Sequence, residues 1–363
     1  MDETLNSISK RAIQGFFSLT VRRLALQALS FITINLILAR YLPVSTLGIF
    51  NIGVAILAFF SFFSDIGLAA AIIQKKAKVT IEELRSTFTI QQTLVVVIVL
   101  IIWFAAPNFA QFYNLSEDGI LLIRMMALAF FITGFKVIPS VLLERELKFH
   151  PLVAVEILES FVFNAGLILF VILGFDLTSF SIAILLRSIV GAISIYIVSP
   201  WKIGLALNLQ ESKGLLKFGI PYQANSLLAL LKDRLVPLVI AKLVGAEGIG
   251  FISWSQNLAF LPLEVMNIII RITFPALSRV QGESEILKKA LERSLFATTA
   301  LVYPLLFGMM ALAPYLVRFV VSDKWEPALP SFYLFCVSTF WATLSTTFTN
   351  SLNAIGKINV TLK

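Results

Sequence analysis

The chain has 363 residues, of which 58% are hydrophobic and only 14% charged, a balance that excludes a soluble globular domain, where about a quarter of residues carry charge. Its formal net charge of +8 is spread among the ends of apolar runs, not gathered on one face, which excludes a nucleic-acid partner. One cysteine, Cys336, and one histidine, His150, exclude a disulfide framework and a Cys/His metal cluster, and without a Walker A loop or dinucleotide fingerprint no cofactor is expected.

The apolar runs are long and continuous, with no alternation of the kind a membrane barrel needs, so they predict helices that each cross about 30 Å of hydrocarbon. In chain order the ten predicted spans are 18–38, 46–68, 87–106, 120–143, 153–173, 178–199, 218–241, 250–272, 295–317 and 328–352. Lys10 and Arg11 precede the first span without a small-residue cleavage site, so that span is expected to remain in the mature chain. Arg22 and Arg23 fall in its first turns. The fourth span carries Arg124 towards its outer end, Lys136 near its middle, and Gly134 and Pro139 as helix weakeners. Glu156 and Glu159 fall in the opening turns of the fifth, where acidic side chains suit the positive end of the helix dipole. The sixth holds Arg187, the seventh the cluster Lys232-Asp233-Arg234, and the eighth Glu264. Pro237, Pro262 and Pro304 are expected to interrupt the seventh, eighth and ninth spans. Trp103, Trp201, Trp254 and Trp325 lie near span ends and read as interfacial anchors.

Lysine and arginine set the orientation. With the N-terminus cytoplasmic, the inner segments carry 18 of them and the outer segments four: Arg40, Lys242, Arg318 and Lys324. Short loops rich in Lys and Arg stay on the cytoplasmic side, so this orientation is expected.

The chain also repeats itself. Leu38-Ala-Arg-Tyr-Leu-Pro-Val-Ser-Thr-Leu-Gly-Ile-Phe50 aligns with Ile240-Ala-Lys-Leu-Val-Gly-Ala-Glu-Gly-Ile-Gly-Phe-Ile252 at an offset of 202, basic on basic and glycine on glycine. Ala106-Pro107 and Phe112 align with Ala313-Pro314 and Phe319 at 207, and Leu143 and Lys148 with Leu352 and Lys357 at 209. One period holds six spans, an even number, so the copies are parallel and related by an axis along the membrane normal. The expectation is two lobes, residues 1–205 and 206–363. Counterparts of spans 5 and 6 would carry the second lobe to about residue 408, so it is expected to be incomplete at its C-terminal end.

Asp233-Arg-Leu-Val-Pro-Leu-Val-Ile-Ala-Lys-Leu-Val-Gly245, Ala246-Glu-Gly-Ile-Gly-Phe251 and Phe274-Pro-Ala-Leu-Ser-Arg279 resemble segments of the polysaccharide exporters and Wzx-type oligosaccharide flippases of the MATE-like superfamily. Ala313-Pro314 with Lys324-Trp325 and Ala328, Leu38 to Phe50, and Asp65-Ile-Gly-Leu-Ala-Ala70 carry the same resemblance. It covers nearly the whole chain by order and spacing, and family members usually have twelve to fourteen helices. The resemblance implies an all-α polytopic membrane protein of about ten helices in a V-shaped, two-lobed MATE-like fold. It further implies flipping of an undecaprenyl-diphosphate-linked oligosaccharide across the bacterial cytoplasmic membrane, with membrane lipids, a polysaccharide polymerase and glycosyltransferases as partners, and no catalysis.

Such a substrate requires a hydrated cavity between lobes with a positive bias. A charge at a helix centre costs about 2.5–3.5 kcal/mol on insertion scales and therefore turns to the bundle interior or to water. Arg22, Arg23, Lys136, Lys232 and Arg234 are the candidate cavity cations, and Asp233 and Glu264 the ion-coupling candidates. Arg22, Arg23 and Arg124 can equally snorkel to headgroups. Lys232 and Arg234 point about 200° apart and cannot both line one cavity. Asp65, Glu156 and Glu159 are further intramembrane acids. Two other functions fit the same chain: an ion-coupled multidrug or metabolite antiporter of the same superfamily, and a non-transporting fragment or membrane scaffold. A membrane-embedded glycan enzyme would need catalytic carboxylates in outer loops that are short and poor in them.

Overall fold

The computed structural model describes residues 26–64, 66–75, 79–206, 223, 235–264, 266, 269–270, 273 and 284–354. These residues are helical with short connections. In chain order they form α1 (Leu26–Tyr41), α2 (Val44–Ser61), α3 (Leu68–Gln74), α4 (Ile81–Tyr113), α5 (Glu117–Gly134), α6 (Val137–Arg145), α7 (Phe149–Ile172) and α8 (Thr178–Val198). They continue with α9 (Val236–Ala259), α10 (Ser284–Tyr315) and α11 (Leu329–Ala354). Among the described residues seven helices are long and apolar enough to cross a membrane, or eight if the bent pair α5 and α6 counts as one span. Phe104, Ile197 and Phe296 stand mostly exposed on them, as lipid-facing side chains do, since tails solvate such groups as well as a protein core would.

Two compact units emerge, Met1–Gly250 and Phe251–Lys363. In the first, α8 packs along α7 and α5, and α5 along α4 and α2. Ile52 and Ile56 of α2, Ile98 and Ile102 of α4, Ile123 and Ala127 of α5, and Ala241 and Ile249 of α9 share one buried apolar cluster. Thr80 and Glu83 close a reciprocal capping box at the start of α4, and Asn114 ends that helix in the left-handed region at φ 53°. Pro107 lies inside α4 without breaking it. Lys75 pairs with Glu83, and the Arg145 guanidinium donates to the Ile72 carbonyl. Lys75, at the end of α3, and Arg145, in the last turn of α6, therefore tie α3 to its neighbours.

In the second unit α10 packs against α11. Pro304 does not interrupt α10, which runs through it. Down α11, Thr343, Thr347 and Ser351 each donate a hydroxyl to the carbonyl four residues back, which satisfies polar groups without solvent. Trp254 and Trp325 are buried with their rings 5.2 Å apart. Both therefore serve packing and not interfacial anchoring, because an anchor must present its ring to headgroups.

The expected fourth span is realised as two helices, α5 and α6, bent by 46°. Pro139 is the cause. It has no N–H to offer the Phe135 carbonyl, and its ring crowds that oxygen. The freed Phe135 carbonyl accepts from the Tyr196 hydroxyl of α8 at 3.1 Å, and the Pro139 carbonyl accepts from Ser199 Oγ at 3.3 Å. The break is thus bound at both ends, with Lys136 inside it. Tyr196→Phe is expected to lower stability by about 1 kcal/mol, because a partly buried carbonyl is left without its donor. Thermal unfolding in detergent checks this, and an unchanged transition would show that another group satisfies Phe135.

Gly245 breaks α9 at φ 71°, ψ −177°, a conformation that is essentially glycine-only. Its repeat mate, Pro43, turns the same corner before α2 at φ −56°.

Candidate functional site

In the first unit a cavity of about 780 Å³ opens between α1, α2, α5, α7 and α8. Each helix supplies a face at helical spacing. From α7 come Glu156, Glu159, Ser160 and Phe163, at intervals of three, four and seven residues, and from α2 come Asn51, Val54, Ala58 and Ser61. Lys136 enters from the break between α5 and α6, and Arg187 from α8.

Lys136 forms an ion pair with Glu159, and the two side chains are only 15% and 7% exposed. This pairing is what lets both charges stay in an apolar bundle, since an isolated buried charge would cost several kcal/mol. Gly191 of α8 makes room for it: a methyl group there would meet Glu159 Oε1 at 1.8 Å. Arg187, by contrast, is exposed to the cavity, its guanidinium carbon 5.7 Å from the Phe163 ring centroid. It has no ion pair among the described residues. Asn164, behind the wall, donates to the Ser160 carbonyl at 2.7 Å, and its own Oδ1 is buried without a partner.

Of the candidate residues, Lys136 lines this cavity. Glu264 lies half-buried in the second unit. Arg22, Arg23, Asp65, Lys232, Asp233 and Arg234 lie outside the described residues. Arg124 turns to Trp103 instead, donating from Nε to its carbonyl at 3.3 Å with the guanidinium 5.4 Å from the ring centroid. Glu156 and Glu159 do not sit at a helix N-terminus as expected. α7 starts at Phe149, so they lie about two and three turns inside, beyond the reach of the terminal dipole. The spacing of Glu156, Glu159, Ser160 and Asn164 on one helix face was the legible signal for a polar wall. The described lining carries two cations and two carboxylates, so a positive excess depends on residues beyond those described.

Residues 37–330 match the polysaccharide biosynthesis protein family. An uncharacterized membrane protein in the cps region of Klebsiella pneumoniae is 28% identical over 331 residues, 86% of this chain and 66% of that protein. The lipopolysaccharide biosynthesis protein WzxC of Escherichia coli is 25% identical over 337 residues, 90% of this chain and 67% of that protein. The chain therefore spans about two thirds of the length of these relatives. Among solved structures, the lipid II flippase MurJ in an inward closed conformation superposes with a TM-score of 0.69 at 15% identity, covering 93% of this chain and 75% of that one. An inward-facing multidrug resistance MATE family transporter gives 0.64 at 14% identity, covering 94% and 85%. Multi-pass, helical and matched by this family over most of its length, the chain belongs to the polysaccharide biosynthesis protein family.

Proposed function

We propose that this protein flips an undecaprenyl-diphosphate-linked oligosaccharide across the bacterial inner membrane for surface polysaccharide synthesis. In this reading about ten helices form two parallel-repeat lobes, residues 1–205 and 206–363, with the N-terminus cytoplasmic, and transport proceeds by alternating access without catalysis. The carrying observation is Arg187, a cation uncovered in a largely apolar cavity that also holds Lys136, Glu156 and Glu159. A diphosphate head cannot enter hydrocarbon, whereas a guanidinium offers it paired, charge-assisted hydrogen bonds. The lipid tail can remain in the bilayer while the head crosses through the protein. Arg22, Arg23, Lys136, Lys232 and Arg234 are proposed to share the head, with Asp233 and Glu264 as ion-coupling groups. A polymerase and glycosyltransferases are the proposed partners.

An ion-coupled multidrug or metabolite antiporter is the second reading, favoured by the aromatic lining that Phe50, Phe130 and Phe163 bring to the same cavity. Deleting the gene separates the two. The flippase reading expects loss of a surface glycan with lipid-linked precursor held on the inner leaflet. Intact surface glycans and no trapped precursor would reject it, and broad drug sensitivity in that strain would favour the antiporter.

A further inference from the structure

Gly48 of α2 and Gly250 of α9 are mates in the internal repeat, offset by 202, as are Val44 and Ala246. The structure brings these four together crosswise. A methyl group on Gly48 would lie 1.7 Å from the Ala246 carbonyl oxygen, and one on Gly250 would lie 2.4 Å from the Val44 carbonyl oxygen. Each contact is the image of the other under exchange of the two copies, which is the signature of an interface across a twofold axis. Neither glycine tolerates a side chain, because what it meets is backbone and not a movable side-chain end. Gly48 and Gly250 thus let two helix backbones touch, as small residues do between membrane helices.

The surroundings share the same reciprocity. Leu47 and Ile249, also mates, are 3% and 6% exposed, and Ala241 and Ile249 pack with Ile52, Ile56 and Ile123 beside the crossing. Lys242 pins the margin, donating Nζ to the Phe112 carbonyl at 2.6 Å and lying 4.5 Å from the Phe112 ring centroid. The contact is broad in backbone but holds no ion pair across the four crossing residues, so it can separate without leaving a buried charge unpaired.

We propose that the Gly48–Gly250 crossing is a self-complementary clasp between the two repeats at the outer membrane face, closed in this structure and parted whenever the cavity opens outward. It rests on the orientation and alternating-access parts of the reading above, and not on the identity of the substrate. A clasp of this kind acts as a gate because both copies must release the same contact at once, so opening is all-or-none. Static packing would make the same glycines necessary for folding alone.

Impermeant maleimide added to intact cells tests this, with reporter cysteines placed in a Cys336→Ala background, since Cys336 is the one native cysteine and is buried. Leu47→Cys and Ile249→Cys are expected to react about tenfold more slowly than the exposed Glu247→Cys, and Gly48→Ala or Gly250→Ala is expected to speed both reporters about tenfold by shifting the population outward. Reporters that react as fast as Glu247→Cys with both glycines intact would overturn the clasp, even if the alanine variants fail to fold. Folded alanine variants whose reporters stay slow would overturn it too, as would a Glu247→Cys that labels only from the inner side. Labelling that responds as expected in a strain whose surface glycans survive deletion would keep the clasp and reject the flippase.

Discussion

Lys136→Ala is expected to destabilise the protein by about 3–5 kcal/mol and to abolish export, whereas Lys136→Met combined with Glu159→Gln should recover most of the stability and none of the export. The asymmetry follows from burial. Glu159 is 7% exposed and has Lys136 as its ion-pair partner, so removing the lysine alone strands a carboxylate in a low-dielectric bundle, while removing both charges leaves two uncharged side chains of similar shape. Export is expected to behave differently, because the proposed contact with the anionic head requires the charge itself. Unfolding in detergent gives the coupling from the double-mutant cycle, and surface glycan measured in a complemented deletion strain gives the activity. A coupling near zero would mean that the pair is not formed in the membrane. A double variant that exports normally would remove Lys136 from the mechanism.

Arg187→Glu should reduce export at least about tenfold with no change in the unfolding transition, because a charge-assisted hydrogen bond is worth about 1.5–3 kcal/mol and each 1.4 kcal/mol is a factor of ten. The stability half of the expectation rests on Arg187 being exposed, with an aromatic ring as its contact and no ion pair among the described residues. The export half rests on charge reversal in a cavity proposed to hold an anion. Arg187→Lys sharpens the test, since lysine keeps the charge but loses the planar fork. Partial export by lysine and none by glutamate would support paired contacts to a diphosphate. Full export by the glutamate variant, at normal protein level, would sink the anionic-head reading of this cavity.

Seven of the eight helices or helix pairs of spanning length among the described residues, and the matched family, were legible in the chain before any coordinates, whereas α9 runs from Val236 to Ala259 through the loop expected at 242–249, kinked at Gly245. Hydrophobic length is a local property: twenty apolar residues cross a bilayer whatever they later touch. The end of α5 was half-legible. Gly134 and Pro139 announced a weak point, but the break fell at Phe135–Lys136 because that is the carbonyl Pro139 cannot serve and Tyr196 can. Pro107 and Pro304 gave the same signal and broke nothing, since neighbouring turns can absorb one missing bond.

Lys136 stood out by cost alone, but its partner did not. Glu159 read as a helix-start acid until α7 was seen to begin at Phe149, and Gly191 gave no hint of the clearance it provides. From sequence alone come the membrane, the helices, the duplication and a roster of expensive charges, because each depends on residue type and spacing along one segment. Tertiary structure decided which charges meet, where the bent span breaks and that Gly48 and Gly250 cross, because each depends on which faces of distant helices come together.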